Sequence, residues 1–246
     1  MIKLMNTLAF KTRVQELLQT YPNERILSFY FQDKKYWLKQ PEKLTGIEKL
    51  LKPRPKKAFQ RELQRLQQLT KLKAPIPPLI LWGDNFFVLE DAGLSLKNLL
   101  DLHYQNQDLS LRILKDAVYG LINLHQHNII HGRPAIRDML WQDGMIHFID
   151  FENRPKTKDL IWQKARDGLI FIHSLDRMDT LTEEQISYII QEFQTQCDPI
   201  IWQSMLDWIR KYHWLYYVLY LFKHFAHTDL MAIYRLFQQF DKIINK

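Results

Sequence analysis

Several charged side chains lie close together between His131 and Asp150, and their types suit chemistry on a phosphate. Asp138 and Asp150 offer carboxylate oxygens, which are the ligands that Mg²⁺ prefers. Arg133 and Arg137 offer guanidinium groups, which pair with phosphate or carboxylate oxygens. Phosphoryl transfer depends mainly on positioning and charge neutralisation, and groups of these types supply both. The segment is therefore the first candidate for a functional site.

A second set of candidates lies in the N-terminal part of the chain. Lys39 stands near the end of the apolar segment 36–40, and Glu62 follows on the next helical segment. A lysine in such a place can hold nucleotide phosphates, and a glutamate on a nearby helix can hold the lysine. The other interpretation is that Lys39 is a solvated residue at a sheet edge and that Glu62 is a surface residue of its helix.

The rest of the chain predicts the elements that must position these side chains. Helical spacing of apolar residues occurs over 8–21, 58–73, 96–103, 110–126, 160–178, 183–196 and, with breaks, 199–240. Short apolar runs bounded by turn residues predict strands at 25–31, 36–40, 79–82 and 86–89, and a further hairpin turns at 142–144. Residues 41–57 are basic and proline-containing and predict a loop.

This order of elements predicts an α+β fold in two unequal lobes. The first would be a small, strand-rich N-terminal lobe over residues 1–92. The second would be a larger, helical C-terminal lobe over residues 93–246, which contains the candidate loop and its hairpin.

The segment around His131 resembles the catalytic loop of protein-kinase-like families. Asn-Ile-Ile-His-Gly at 128–132 resembles the strand and loop in which these families place His-Gly-Asp or His-Arg-Asp. Asp138 stands at the position of their metal-binding asparagine, and Asp150-Phe-Glu resembles the Asp-Phe-Gly segment whose aspartate binds magnesium. Arg166-Asp167 resembles the buried aspartate of the helix that supports the loop. The resemblance is nearest to the bacterial lipopolysaccharide core (Kdo/heptose) kinases and to small atypical bacterial kinases.

The resemblance implies a protein-kinase-like fold and a nucleotide-binding role for the N-terminal candidates. Lys39 would hold the phosphates of ATP, and Glu62 would hold Lys39. Glu90 and Ala92 lie in the acidic turn after a strand, which resembles the hinge where kinases hold the adenine with backbone groups.

The resemblance also implies roles around the loop. Asp138 and Asp150 would bind Mg²⁺, while Arg133 and Arg137 would meet the transferred group or the acceptor. His131 would belong to the catalytic loop and would pack beneath it, holding backbone groups. The implied activity is an ATP- and Mg²⁺-dependent phosphotransferase, and the implied acceptor is a lipid-linked lipopolysaccharide core sugar.

Two departures from the kinase pattern favour other interpretations. Arg133 stands where kinases have the aspartate that accepts the hydroxyl proton, and a guanidinium with a pKa above ~12 cannot accept one. No glycine precedes Gly46, so a glycine-rich phosphate loop before Lys39 is absent from the sequence. The main alternative is a pseudokinase that binds nucleotide or a partner protein without transfer, and transfer of another group, such as an adenylyl group, is a third. Asp138 could likewise form a salt bridge to Arg133 or Arg137 and hold the loop without metal.

Composition narrows the class of partners. The net charge of +7 and the pI of about 9.3 favour anionic partners. The single cysteine, Cys197, excludes an intramolecular disulfide and fits a reducing compartment. The longest apolar run, 214–222, is far shorter than the ~20 residues that span a bilayer, so a cytoplasmic protein is expected.

Two segments leave a membrane contact open. The basic stretch 49–57 has no interleaved aromatic residues, so nucleic-acid binding is not expected there, and it is either a solvated loop or a contact with an anionic membrane. The aromatic-rich stretch 202–222 is either core or an interfacial surface, with Arg210, Lys211 and Lys223 facing anionic lipid. The second interpretation would place the protein peripherally at the inner membrane.

Overall fold

The structure is a computed structural model that describes residues 2–42, 55–151, 157–222 and 228–244. Its contacts divide the chain into two compact units, Met1–Ala92 and Gly93–Lys246. Each unit combines a small antiparallel sheet with helices, so the predicted α+β class is confirmed.

The first unit is a four-stranded antiparallel sheet between two helices. The sheet has the order β1-β2-β4-β3. The elements are α1 (Ile2–Thr20), β1 (Ile26–Phe31), β2 (Lys34–Lys39), α2 (Pro55–Lys71), β3 (Leu79–Gly83) and β4 (Phe86–Glu90).

Alternation along the strands gives this sheet two apolar faces. Leu38 and Val88 point to the face that α1 covers with Val14 and neighbouring residues. Phe87, the neighbour of Val88, points to the opposite face and packs against Phe59 of α2. The pleat of β2 therefore sends Lys39 to the α2 side of the sheet, because Leu38 faces α1.

Helix α2 begins earlier than the sequence predicted. Pro55, which the sequence assigned to a loop over 41–57, is the first residue of the helix. Proline is favoured in the first helical turn because the turn needs no N–H donor there and the fixed φ suits the helix. The basic residues 49–54 lie outside the described residues, whereas Lys56 and Lys57 belong to α2.

The second unit carries a three-stranded antiparallel sheet of order β5-β6-β7 and most of the helices. Its strands are β5 (Leu94–Ser95), β6 (Met139–Gln142) and β7 (Met145–Phe148). Its described helices are α3 (Leu96–Leu102), α4 (Gln107–Gln126), α5 (Leu160–Leu175), α6 (Glu183–Gln196), α7 (Pro199–Lys211), α8 (Trp214–Phe222) and α9 (Thr228–Ile244), and a short 3-10 helix, Ile136–Asp138, leads into β6.

Helix α5 is the centre of the second unit. Ala165, Phe171 and Ile172 are fully buried, and Phe171 packs against Phe193 of α6. A Cβ on Gly168 would lie 2.9 Å from the Phe193 ring, so this glycine permits the close approach of α5 and α6. The described residues of the stretch 199–240 lie in α7, α8 and α9 and in the turn between α7 and α8, which agrees with a predicted break. Among the described residues, no helix combines the length and the apolar character needed to cross a membrane.

The hairpin that leads to Lys39 turns without glycine. Gln32 and Asp33 form its two-residue turn, and both have positive φ, at 49° and 62°. Two consecutive left-handed residues match the twist of the flanking strands, but the conformation is unfavourable for residues other than Gly, Asn and Asp.

We expect the replacement Gln32→Asn to raise the free energy of unfolding by up to about 1 kcal/mol, because asparagine tolerates the left-handed region better than glutamine. Gln32→Val should lower it by about 1 kcal/mol or more, because β-branched residues are strained there. Urea unfolding of both variants measures the difference. Equal stability of the two variants would contradict the turn geometry.

Candidate functional site

The first unit joins Lys39 to Glu62, the pair on which the nucleotide-binding prediction depends. Lys39 Nζ lies 2.5 Å from Glu62 Oε1, although the residues are 23 positions apart. The lysine side chain is 16% exposed, and its Nζ lies 5.7 Å from the centroid of the Phe87 ring. Strand β2 is hydrogen-bonded to β1 on one side and β4 on the other. Lys39 is therefore a half-buried, ion-paired residue of an inner strand and not a solvated residue at a sheet edge.

The predicted hinge residues occupy the end of β4. The Glu90 carboxylate accepts a hydrogen bond from Lys34 at 2.6 Å, and the Glu90 N–H donates to Pro78 O at 2.9 Å. Asp91 N–H donates to Lys35 O at 2.9 Å, and Ala92 is 2% exposed. The side chain of Glu90 thus serves the sheet, and contact with a base would have to use main-chain atoms.

In the second unit, Asp167 of α5 holds the main chain of the predicted catalytic loop. Its two carboxylate oxygens accept hydrogen bonds from His131 N–H at 2.9 Å and from Gly132 N–H at 3.0 Å. His125 Nε2 lies 3.3 Å from Asp167 Oδ2 and adds a further partner. Gly132 has φ +94°, a conformation that suits glycine and that directs its N–H to the carboxylate. The aspartate is fully buried, so these donors replace the hydration it has lost.

His131 supports the loop from below and is fully buried. Its Nε2 lies 2.9 Å from Ile149 O, which can only accept, and its Nδ1 accepts from the Arg133 N–H at 3.2 Å. The neutral Nε2–H tautomer satisfies both contacts. Burial lowers the pKa of His131 to about 4, so the ring is neutral at physiological pH. It links the two segments that carry Asp138 and Asp150, and we assign it a positioning role rather than a catalytic one.

The 3-10 helix places Asp138 between the two arginines that the sequence singled out. The Asp138 side chain is 6% exposed, whereas those of Arg133 and Arg137 are 44% and 50% exposed. Arg133 Nη2 lies 3.6 Å from Asp138 Oδ2, and Arg137 Nε lies 3.6 Å from Asp138 Oδ1. Burial raises the pKa of Asp138, the two arginines oppose this rise, and the charge of Asp150 adds to it. The salt-bridge arrangement considered for Asp138 is therefore present.

Asp150 adopts a left-handed backbone conformation beside this cluster. Its φ is +59°, in a region that is uncommon for residues other than glycine and that aspartate tolerates better than most. The preceding Ile149 N–H donates to Asp138 O at 2.9 Å, which ties the two aspartate segments together. Glu152, the last residue of the Asp-Phe-Glu motif, lies outside the described residues.

The donor set around Asp138 and Asp150 fits Mg²⁺ only with help from a ligand. Among the residues that the structure describes, no group of three or more His, Cys, Asp or Glu side chains is arranged to hold a metal ion. Asp138 Oδ2 is buried and has no hydrogen bond to any described residue. Mg²⁺ is commonly bound by one or two carboxylates together with phosphate oxygens and water. The two aspartates therefore suit a metal that arrives with a phosphorylated ligand.

Two further residues position the loop, and the sequence did not predict a role for either of them. Ser174 Oγ accepts a hydrogen bond from Ile136 N–H at 3.1 Å, which holds the start of the 3-10 helix against α5. Arg166 Nη1 donates to Gly132 O. Both lie on α5 beside Asp167, so only the packing of that helix against the loop identifies them.

Comparison with known proteins places this chain in a family. No family model matches it. It is 42% identical over 231 residues to a Haemophilus influenzae protein described as uncharacterized, an alignment that covers 94% of this chain and 96% of the relative. The chain therefore belongs to the same family as that protein.

The replacement Asp167→Asn tests the anchoring of the loop. One amide position must then present an NH₂ donor to a main-chain N–H, so one buried N–H loses its acceptor. We expect the free energy of unfolding to fall by about 3 kcal/mol or more, measured by urea unfolding. Asp101→Asn, at an exposed residue of α3 with a single i,i+4 partner, should cost only a few tenths of a kcal/mol. Similar losses in both variants would refute the anchoring role.

The depressed pKa of His131 makes stability depend on pH. The unfolded chain binds a proton near pH 6.5 and the folded chain only near pH 4, so the contribution of His131 is complete above 6.5 and is lost as pH falls to 4. The full loss is roughly 3 kcal/mol. Burial raises the pKa of Asp176 to about 7, which gives that carboxyl the opposite slope from 3.8 to 7.

The contribution of His131 is therefore measured as the difference in the free energy of unfolding between the wild type and His131→Gln. Urea unfolding at pH 7, 6, 5 and 4 should show the gap between the two proteins narrowing steadily as pH falls. A gap that stays constant over this range would show that His131 binds its proton at the same pH in the folded and unfolded chains, which would contradict the lowered pKa.

Proposed function

We propose that this protein is an atypical ATP- and Mg²⁺-dependent phosphotransferase of protein-kinase-like fold. The observation that carries the proposal is the ion pair between Lys39 and Glu62. A half-buried lysine on an inner strand, held by a glutamate of the covering helix, has an unusual environment for a structural residue. Held in this way, the ammonium group is pre-oriented for phosphate oxygens.

The second unit would supply the metal-binding groups. Asp138 and Asp150 would hold Mg²⁺ together with nucleotide phosphates, and the metal would neutralise phosphate charge. Asp167 and His131 would keep both aspartates in place through the main-chain hydrogen bonds described above. Arg133 and Arg137, each about half exposed, would contact the transferred phosphate or an anionic group of the acceptor.

Because Arg133 stands where kinases have their catalytic aspartate, phosphoryl transfer would have to proceed without an aspartate as general base at position 133. A positioned general base contributes roughly 10²–10⁴ in rate where one operates. Phosphoryl transfer depends more on positioning and electrostatics, so a slow enzyme remains compatible with arginine here. The resemblance of the loop to lipopolysaccharide core kinases supports a core sugar as the acceptor.

The second candidate function is a pseudokinase that binds nucleotide or a partner protein without transfer. The ion pairs that Arg133 and Arg137 make with Asp138 favour it, because they place positive charge where a metal would otherwise bind. The two functions differ in whether a phosphorylated ligand brings enough favourable contacts to draw Asp138 away from the arginines.

A cytoplasmic location with peripheral contact to the inner membrane belongs to the same proposal. Trp214, Tyr217, Val218 and Leu221 follow the i, i+3, i+4, i+7 spacing of one face of α8 and are 57%, 62%, 40% and 72% exposed. Lys211, at the end of the preceding helix, is also exposed. An exposed aromatic face beside a basic residue suits the interface of an anionic bilayer, where a lipid-linked acceptor would be found.

Ligand-dependent stability tests the nucleotide site. ATP with Mg²⁺ at ~100 times its dissociation constant should stabilise the wild type by about 2.7 kcal/mol in thermal unfolding. Asp150→Asn should abolish the part of this stabilisation that depends on Mg²⁺, and Lys39→Met should abolish most of the stabilisation.

Each variant has a matched control in the chain. Asp143 also has a left-handed backbone, with φ 51°, and is exposed, so Asp143→Asn should retain the full shift. Lys34→Met is the control for Lys39→Met. It removes a more exposed lysine from the same strand, so it should also retain the shift. No shift in the wild type at millimolar ATP would refute the nucleotide site. A shift without transfer of labelled phosphate to core-sugar acceptors would favour the pseudokinase.

Sedimentation with vesicles tests the membrane contact. The double variant Trp214→Ser/Leu221→Ser should lower binding to phosphatidylglycerol vesicles at least tenfold, because each large apolar side chain contributes roughly 1.5–3 kcal/mol when buried. Leu102→Ser/Tyr104→Ser removes two other exposed apolar residues, at 66% and 54%, and should leave binding unchanged. Equal binding to neutral phosphatidylcholine vesicles would argue against an anionic surface, and no binding to either would refute the contact.

A further inference from the structure

A small cavity in the second unit is lined by a carboxylate that accepts no hydrogen bond from the residues that the structure describes. The cavity has a volume of about 220 Å³ and lies where the end of α5, the start of α6 and α9 meet. Asp176 follows directly on α5 and is 2% exposed. Neither of its carboxylate oxygens has a hydrogen bond to any residue that the structure describes.

The other polar groups of the cavity do not satisfy this carboxylate. Gln239 of α9 is 4% exposed, and its Oε1 is likewise a buried acceptor without a hydrogen bond from the described part of the chain. Arg235 also lines the cavity and is positively charged. Its Nη1, however, donates to the main-chain oxygen of Asp176 at 3.1 Å and not to the carboxylate. Three buried acceptor atoms, two on Asp176 and one on Gln239, therefore belong to residues that line the same cavity.

The charges around the cavity are mainly negative. Asp179 and Glu183 also line it, so three acidic side chains stand against Arg235. Lys242 adds positive charge from α9, but it is engaged with Glu183 at 2.9 Å. An ionised carboxylate buried without a partner costs several kcal/mol, and this cost falls when a cation or N–H donors fill the space.

We propose that this cavity binds a primary alkylammonium group, with its charge against Asp176 and one N–H directed to Gln239 Oε1. An ammonium has three N–H donors in a compact head, which matches three separate acceptor oxygens. The apolar lining residues, Met178 and Ile186 among them, suit the alkyl chain that follows the head. The volume is below the roughly 300 Å³ at which ordinary ligand pockets begin, so a larger ligand would enter only by its amine end.

The site gives binding a definite pH dependence. Burial raises the pKa of Asp176 to about 7, while Arg235 opposes the rise and Glu183 adds to it. An ammonium binds only the ionised carboxylate, and the free amine stays protonated well above this range. Affinity should therefore rise about tenfold from pH 6 to pH 8, the ratio of the ionised fractions for a group of pKa 7.

The test uses the full chain and ethylammonium chloride, with sodium chloride at the same ionic strength as the reference. Thermal unfolding at pH 8 should show a stabilisation by ethylammonium beyond that of sodium chloride. At pH 6 about a tenfold higher ethylammonium concentration should be needed for the same stabilisation, because the affinity is about tenfold lower. Asp176→Asn removes the charge without changing shape, so it should fold and lose the stabilisation. Asp207→Asn, at an exposed aspartate of α7, should keep it.

A second variant and two further ligands separate the remaining outcomes. Gln239→Met keeps the volume but removes the amide acceptor, so it should weaken binding several-fold without abolishing it. Tighter binding of Nα-acetyl-lysine methylamide than of ethylammonium would assign the site to a lysine of a partner protein, and equal or weaker binding would assign it to a free amine. Preference for methylguanidinium, no saturable effect in the wild type, or full binding by Asp176→Asn would overturn the proposal.

Discussion

The buried carboxylate of Asp167 is the constraint on which the candidate loop depends. It accepts main-chain hydrogen bonds from His131 and Gly132, which lie far from it in sequence but against the same helix. Because the site is dry, each donor is strongly held and no alternative partner competes. Asp176, which follows the same helix, is the opposite case, since its buried oxygens have no hydrogen bond from the described residues. A satisfied buried aspartate stabilises the fold, whereas an unsatisfied one requires a separate explanation, for which the alkylammonium site is our proposal.

The chemistry of the loop depends on a competition for Asp138. Two arginines lie 3.6 Å from its oxygens, and the negative charge of Asp150 lies close enough to raise its pKa further. Positive charge beside Asp138 keeps its carboxylate ionised, and either guanidinium groups or a metal ion can provide it. This balance explains how the chain can keep both carboxylates near each other.

Local patterns predicted most elements, and the misses have physical reasons. Short apolar runs bounded by turn residues located β2 and β4, and the helix 183–196 has the predicted bounds, since Thr182 forms a capping box with Gln185. Helix α2 was predicted to begin three residues too late because the proline at its first turn was interpreted as a loop residue. The turn at Gln32 and Asp33 carries no glycine, so only the observed positive φ values reveal its type. The α+β class followed from the order of elements.

The sequence by itself determined which side chains were available and on which face of its element each would lie. Spacing alone put Lys39 on the Trp37 face of its strand and Glu62 on the next helix. Only the tertiary structure decided that the two form an ion pair, that β2 is an inner strand and that Asp138 meets Arg133 and Arg137. Strand order, burial and the loss of hydration arise from contacts between distant segments, and a local pattern contains no information about which segments will meet. For the same reason, only the packing of α5, α6 and α9 shows that the carboxylate of Asp176 is buried without a hydrogen bond from the described residues.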